Sequence, residues 1–432
     1  MIANIPETPL KRVVIVGAGF GGLALAQKLA NENIQVVLID KNNYHQFQPL
    51  FYQVAMAGLE PSSIAFPLRK IFQKKKNVHI RVTKVRAIHS DRKKISTDLG
   101  EIWYDYLVLG IGTNTNFFGM QNIIENAIPM KSVSEAIYLR NRVLENFEAA
   151  LTTRDQDRIA GLMTMVVVGG GPTGTEISGT LAEMKKMILP KDYPELDFDL
   201  MKIYIFESGD GVLKVMSEEA SQKGKQYLEE LGVTVRTGER IADYIDGYAI
   251  TSTGEKIRTD NLIWSAGVIA NKIEGFPSEV FSRGGRIKVN QYNQVEGFTD
   301  VFAIGDLAIM SGDPAFPDGH PQLAQPAIQQ GKLLAANLMK LMSNQPMKPF
   351  EYKDLGSMAT IGRNKAVVDL PKWKFQGGFA WFVWMFVHLM GILGVKNKVL
   401  VFINWFWNYV TYDQSLRLII RPRVTRKVKA EN

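Results

Sequence analysis

The chain has 432 residues, 46% hydrophobic and 22% charged, a composition that suits two or three folded domains and excludes wholesale disorder. It contains no cysteine, which removes disulfides, thiolate chemistry and Cys-ligated metal centres together, and its five histidines (45, 79, 89, 320 and 388) have no ligand spacing, so no metal site is expected. The net charge of +8 is local: from Lys372 onward ten Lys or Arg face only Asp413 and Glu431, leaving 41 basic and 41 acidic residues before it, and no nucleic-acid surface is expected on so balanced a body.

The opening MIANIPETPLKR has no basic segment followed by an apolar one, so no export signal is expected. VVIV (13–16) is a β-branched run of the kind buried in parallel sheets. It leads into GAGFGG, with Gly17, Gly19 and Gly22 in G-x-G-x-x-G spacing, and then into the helical pattern LALAQKLANEN. A second run, VVLI, ends at Asp40, eighteen residues after Gly22. Strand, tight glycine turn, helix and acid in this order predict a dinucleotide site. The helix N-terminus receives a pyrophosphate and the acid accepts ribose hydroxyls. The competing reading is a glycine turn packed for its own sake.

VLGIGTNTN, around Gly112, is the next strand to close on a glycine. The first pattern then recurs in MVVVGGGPTGTE, where Gly169, Gly171 and Gly174 follow a strand at 165–168. KIYIFE ends at Glu207, 33 residues past Gly174, and the surplus length fits an insertion around LPKDYPELD, whose prolines interrupt a helix. An acid at Glu207 binds a free 2′-hydroxyl and repels a 2′-phosphate, which predicts NADH over NADPH. TDNLIWSAGV, around Gly267, reads as the return strand of this inserted unit, and TDVFAIGD brings Asp306 to a strand end, where it can reach the ribityl chain of a flavin. The expected fold class is therefore α/β with two Rossmann-like dinucleotide-binding domains. Residues 1–120 and 270–345 form a discontinuous FAD domain, 121–269 the NADH domain, and 346–432 a hairpin, anchoring helices and a basic tail.

The C-terminal region holds five of the seven Trp (373, 381, 384, 405 and 407). FAWFVWMFVHLMGILG (379–394) has no charge, and as a helix it spans about 24 Å, short of the roughly 30 Å hydrocarbon layer. Its bulky face includes Phe379, Trp381, Phe382, Phe386 and Ile392, opposite Ala380, Trp384, His388, Gly391 and Gly394. After Lys396 and Lys398, VLVFINWFWNYVTY aligns Asn404, Asn408 and Thr411 on one stripe, and Arg417, Arg421, Arg423, Arg426, Lys427 and Lys429 follow. Aromatic residues beside basic ones favour a lipid headgroup boundary, so a pair of amphipathic helices lying in one anionic leaflet is expected. A dimer interface, core helices and a short membrane-crossing hairpin stay open as alternatives.

The order of these motifs resembles the two-dinucleotide-binding-domain flavoproteins that include glutathione reductase, and within them the type II NADH:quinone oxidoreductases. NNYHQFQPLFYQVAMAGLEP (42–61) is similar to the segment those enzymes place against the flavin, GGGPTGTE to their NADH site including Glu176, and GSMATIGRNKAVVDL (356–370) to a following hairpin. QLAQPAIQQG (322–331) resembles their quinone-site segment and maps a functional glutamine onto Gln325. The similarity covers essentially the whole chain. Two departures stand out: Pro326 replaces an aliphatic residue, and SGDGVLKV after Glu207 lacks a Pro-Arg pair. The resemblance implies non-covalent FAD held by Gly17, Gly19, Gly22, Asp40, Gly112 and Asp306, and NADH held by Gly169, Gly171, Gly174, Glu207 and Gly267. It also implies hydride transfer to flavin N5 and reduction of a membrane quinone near Gln325, with Glu176 aiding the protons and no proton pumping. The implied setting is monotopic, on the cytoplasmic face of a bacterial-type inner membrane, with a homodimer left open. From the residues alone, Gln325 equally suits a solvent contact at a helix start, and Glu176 an acid favoured by a helix N-terminus. A soluble reductase for a ferredoxin or rubredoxin, and a flavin-bound interaction protein without turnover, remain rival readings.

Overall fold

A computed structural model describes residues 2–412 and 416–421. Arg423, Arg426, Lys427 and Lys429 of the predicted basic tail lie outside the described residues. In chain order the elements that carry the sites begin with β1 (Arg12–Val16), α1 (Phe20–Leu29), β2 (Gln35–Asp40), α2 (Phe51–Ala55), β3 (Val78–Val82), β4 (Tyr106–Leu109) and β5 (Ile128–Pro129). There follow β6 (Met165–Val168), α3 (Pro172–Met187), β7 (Ile203–Glu207), β8 (Thr234–Thr237), β9 (Asn261–Trp264), β10 (Val301–Ala303) and α4 (Ala324–Met342). The chain ends in β11 (Ser357–Gly362), β12 (Lys365–Leu370), β13 (Trp373–Gln376), α5 (Gly378–Gly391) and α6 (Val395–Thr411).

The chain forms two compact units, one from residues 1–46, 65–116 and 267–356, the other from 47–64, 117–266 and 357–432. In the first, the sheet order is β10-β4-β1-β2-β3, with every pair parallel. β1 and β2 are buried along nearly their whole length, as expected of strands covered on both faces. α1 stops at Leu29, four residues before the predicted LALAQKLANEN pattern runs out, because Asn31, Glu32 and Asn33 offer the core nothing apolar before Ile34.

The second unit repeats the scheme as β5-β9-β6-β7-β8, again all parallel. β11, β12 and β13 form an antiparallel sheet that packs on α3. The point of closest approach is Gly179, where an added Cβ would sit 1.5 Å from the Ile361 carbonyl oxygen. Helix and strand are thus in backbone contact, which only glycine permits.

α5 and α6 bury Ala380, Trp384, Val401 and Trp405 and leave Phe382, Phe386, Phe406 and Val410 more than half exposed. α5 ends at Gly391, earlier than predicted. Ile392, expected on the bulky outer face, is extended and 3% exposed. On the asparagine stripe, Asn408 Nδ2 donates to the Gly58 carbonyl at 3.4 Å, while Phe402, Ile403, Phe406, Trp407 and Val410 of the same helix are exposed. Arg417 and Arg421 of the predicted basic segment pair with Asp192 and Glu145. No helix among the described residues is long and apolar enough to cross a membrane.

Candidate functional site

The two glycine turns are built alike. Gly17 and Gly169 leave β1 and β6 with φ of 103° and 106°, in the region L side chains rarely adopt. A Cβ on Gly22 would lie 1.9 Å from the Gly17 carbonyl oxygen, and one on Gly174 1.9 Å from that of Gly169, so each helix packs directly on its turn. The middle glycines behave differently: nothing lies within 4 Å of a Cβ placed on Gly19 or Gly171. Each is the N-cap of its helix, and neither first turn holds an acid. Each turn therefore offers open space above unopposed N–H groups at a positive helix end, a cradle that fits a pyrophosphate.

An acid closes each cradle. Asp40 Oδ2 accepts from the Ala18 N–H at 2.7 Å and Oδ1 from the Asn42 N–H at 2.7 Å. Burial pushes its pKa up against the pull of those two donors. Glu207 Oε2 accepts from the Gly170 N–H at 2.7 Å, and Oε1 from the Gly209 N–H at 2.7 Å. The same carboxylates that suit ribose hydroxyls also fix the shape of the glycine turns.

Gly112 and Asp306, 194 residues apart, are brought together in the first unit. Gly112, at φ 65°, turns the chain so that the Thr113 hydroxyl donates to Asp306 Oδ2 at 3.1 Å. Gln330 Oε1 accepts from the Gly305 N–H at 2.7 Å, and Gln322 Nε2 donates to the Asp306 carbonyl at 3.0 Å. Sequence reasoning missed Thr113, Gln322 and Gln330. The available signal for Gln330 was a polar residue on the apolar stripe of α4, in line with Pro326 and Leu334. Gln325 is exposed, and its side chain makes no hydrogen bond among the described residues. It belongs to the first unit and Glu176 to the second. Gly267, at φ 96°, turns the chain out of β9, and its carbonyl accepts from the Asn116 N–H at 3.2 Å.

Glu176, read from the bare residues as an acid favoured by the helix N-terminus, lies beyond the first turn of α3 and is buried. It is 8% exposed, and burial raises its pKa well above the ordinary carboxylate value, opposed only by an N–H donated from Thr360 on β11. That donor is delivered by the backbone contact at Gly179. Burial pushes up the pKa of the Tyr52 phenol on α2, which accepts from Gln53 Nε2 at 2.8 Å. Gln53 Oε1 in turn accepts from the Trp405 indole N–H on α6 at 2.6 Å. A buried acid with a raised pKa thus lies near a polar chain that runs from Tyr52 through Gln53 to Trp405 on α6.

The sequence profile of the pyridine nucleotide-disulphide oxidoreductase family matches residues 11–331, and that of the NDH2 C-terminal domain matches residues 355–411. The chain is 34% identical to a type II NADH:quinone oxidoreductase of Mycobacterium tuberculosis, over 97% of this chain and 92% of that protein. It is 29% identical to a mitochondrial internal alternative NAD(P)H-ubiquinone oxidoreductase of Arabidopsis thaliana, over 95% and 86%. The fold is that of NDH2 from Plasmodium falciparum, solved in complex with NADH, at a TM-score of 0.86 and 21% identity, covering 95% of this chain and all of that one.

Proposed function

We propose, from the premise that this chain belongs to the type II NADH:quinone oxidoreductases within the pyridine nucleotide-disulphide oxidoreductase family, that it oxidises NADH and reduces a membrane quinone through bound FAD. The observation that carries the reading is the doubled cradle: two open glycine turns, each at an acid-free helix N-terminus and each closed by a carboxylate.

The first cradle fits the flavin dinucleotide: Gly17, Gly19 and Gly22 would hold its pyrophosphate, Asp40 its ribose, and Asp306, aligned by Thr113 and Gln322, its ribityl chain. FAD, when bound non-covalently there, supplies the two-electron carrier between the substrates. The second cradle, with Gly169, Gly171, Gly174 and Glu207, binds NADH and disfavours a 2′-phosphate. Gly267 shapes the turn after β9. Burial raises the pKa of Glu176, which suits it as a proton source for the reaction. Gln325 offers an amide donor to a quinone carbonyl. The exposed aromatic faces of α5 and α6 lie in one anionic leaflet, on the cytoplasmic side of a bacterial-type membrane, so that the enzyme meets a quinone confined to lipid without pumping protons.

Anaerobic absorption spectroscopy of the purified full chain tests the reading. Flavin absorbance is expected to bleach on adding NADH and to return on adding a ubiquinone analogue. A colourless protein that takes up no FAD, or a bleached one that quinone does not reoxidise, refutes it.

A further inference from the structure

A cavity of about 330 Å³ in the second unit is walled by Trp381, Trp384, Trp405 and Tyr409 of α5 and α6, with Arg363 from the β11–β12 turn and Lys186 from the end of α3. The Arg363 guanidinium lies between two tyrosine rings, 3.9 Å from the centroids of both Tyr409 and Tyr412. Its Nη2 donates to the Tyr409 carbonyl, while Nε and Nη1 are buried without a partner. Trp384 Nε1, in a side chain 1% exposed, is buried without a partner as well. Glu183, the only carboxylate among the described lining residues, accepts from the Arg363 backbone N–H, and no carboxylate among the described residues pairs with the guanidinium.

Buried polar groups in folded proteins are nearly always satisfied, and a charged one left bare is costly. Three unsatisfied donors and no unsatisfied acceptor at one cavity call for a ligand that only accepts, and the cation calls for an anion. Guanidinium forks match phosphate oxygens. The walls that complete the cavity come from the two helices whose outer faces are apolar, which supplies surface for acyl chains.

We propose that this cavity seats the phosphodiester of an anionic phospholipid, gripped by Arg363 and flanked by Lys186, with its chains along α5 and α6. The assignment rests on the reading of those helices as lipid-facing. It makes one lipid a structural component of the enzyme, distinct from the diffuse attraction of a basic tail.

Native mass spectrometry of the full chain, delipidated in mild detergent and titrated with phosphatidylglycerol, tests the site. One phosphatidylglycerol per chain is expected to survive conditions that strip phosphatidylcholine. Arg363→Gln is expected to weaken its retention about tenfold, Lys186→Gln, at the exposed rim, two- to threefold, and Lys396→Gln, outside the cavity, not at all. If Arg363→Gln does not fold, the contrast between Lys186→Gln and Lys396→Gln decides alone. Equal retention in all variants, or complete displacement by millimolar inorganic phosphate, overturns the lipid assignment. Flotation with phosphatidylglycerol vesicles separates the two levels. A wild-type chain that floats yet retains no specific lipid refutes only the site, whereas one that does not float refutes the membrane reading with it.

Discussion

The two nucleotide folds share the order of four strands, β4-β1-β2-β3 and β9-β6-β7-β8, with turn geometry and acid placement, and differ in what covers their first helix. α1 is covered by helix α4, which approaches so closely that a Cβ on Gly331 would lie 2.3 Å from the Gly21 carbonyl oxygen. α3 is covered by strand β11, at Gly179. A covering helix has its backbone donors satisfied internally, so α4 contributes through a side chain, Gln330 on the Gly305 N–H. A covering strand has donors to give, and β11 gives one to Glu176. The same turn is therefore backed by an internally bonded helix in one unit and, in the other, by a strand whose N–H reaches a buried acid with a raised pKa.

The contrast breaks most severely at the covering contacts. Gly179→Val is expected to cost about 3 kcal/mol or more, because backbone faces the new side chain and no flexible group can move aside. Thermal denaturation would read this as loss of the cooperative transition or a large fall in melting temperature, and a stable variant would contradict the backbone contact. A smaller effect is expected at the second acid. Glu207→Gln removes the charge that opposes a 2′-phosphate and is expected to raise the NADPH-to-NADH ratio of kcat/KM about tenfold, on the order of 1.4 kcal/mol. An unchanged ratio would assign Glu207 to turn structure alone.

The smallest effect is in pH dependence. Between the ordinary carboxylate value of 4.5 and its raised native value, Glu176 keeps in the folded state a proton that the unfolded chain has released. Wild-type stability should therefore fall as pH rises through that window, by up to about 1.4 kcal/mol per pH unit. Glu176→Gln lacks this slope, so its melting temperature is expected to gain on the wild type with rising pH. A constant gap would mean that Glu176 is already ionised in the native protein.

Local chemistry made the cradles readable from sequence. A glycine turn, its flanking β-branched strands and its acid follow one another along the chain, from Arg12 to Asp40 and from Met165 to Glu207. Thr113, Gln322 and Gln330 were not readable because their partners are distant in sequence or lie in backbone, and an amide on a helix does not advertise which N–H it will meet. Gly179 carries no signal in the sequence, because the Ile361 carbonyl that demands a glycine there is 182 residues away. The two C-terminal helices were legible as aromatic-rich elements, but the inner partner of Asn408, the part-buried carbonyl of Gly58, was not. Polar residues on a helix mark water or an interior partner, and spacing alone does not tell which.

Paired substitutions at the open glycines test the division of labour between the two cradles most directly, since neither site has room occupied by protein that a methyl group would disturb. Flavin content per chain and the NADH concentration needed to bleach it should be measured in both. Gly19→Ala is expected to lose flavin, while Gly171→Ala keeps a full complement that only a much higher NADH concentration reduces. Flavin retained in the first and lost in the second would contradict the assignment of the cradles.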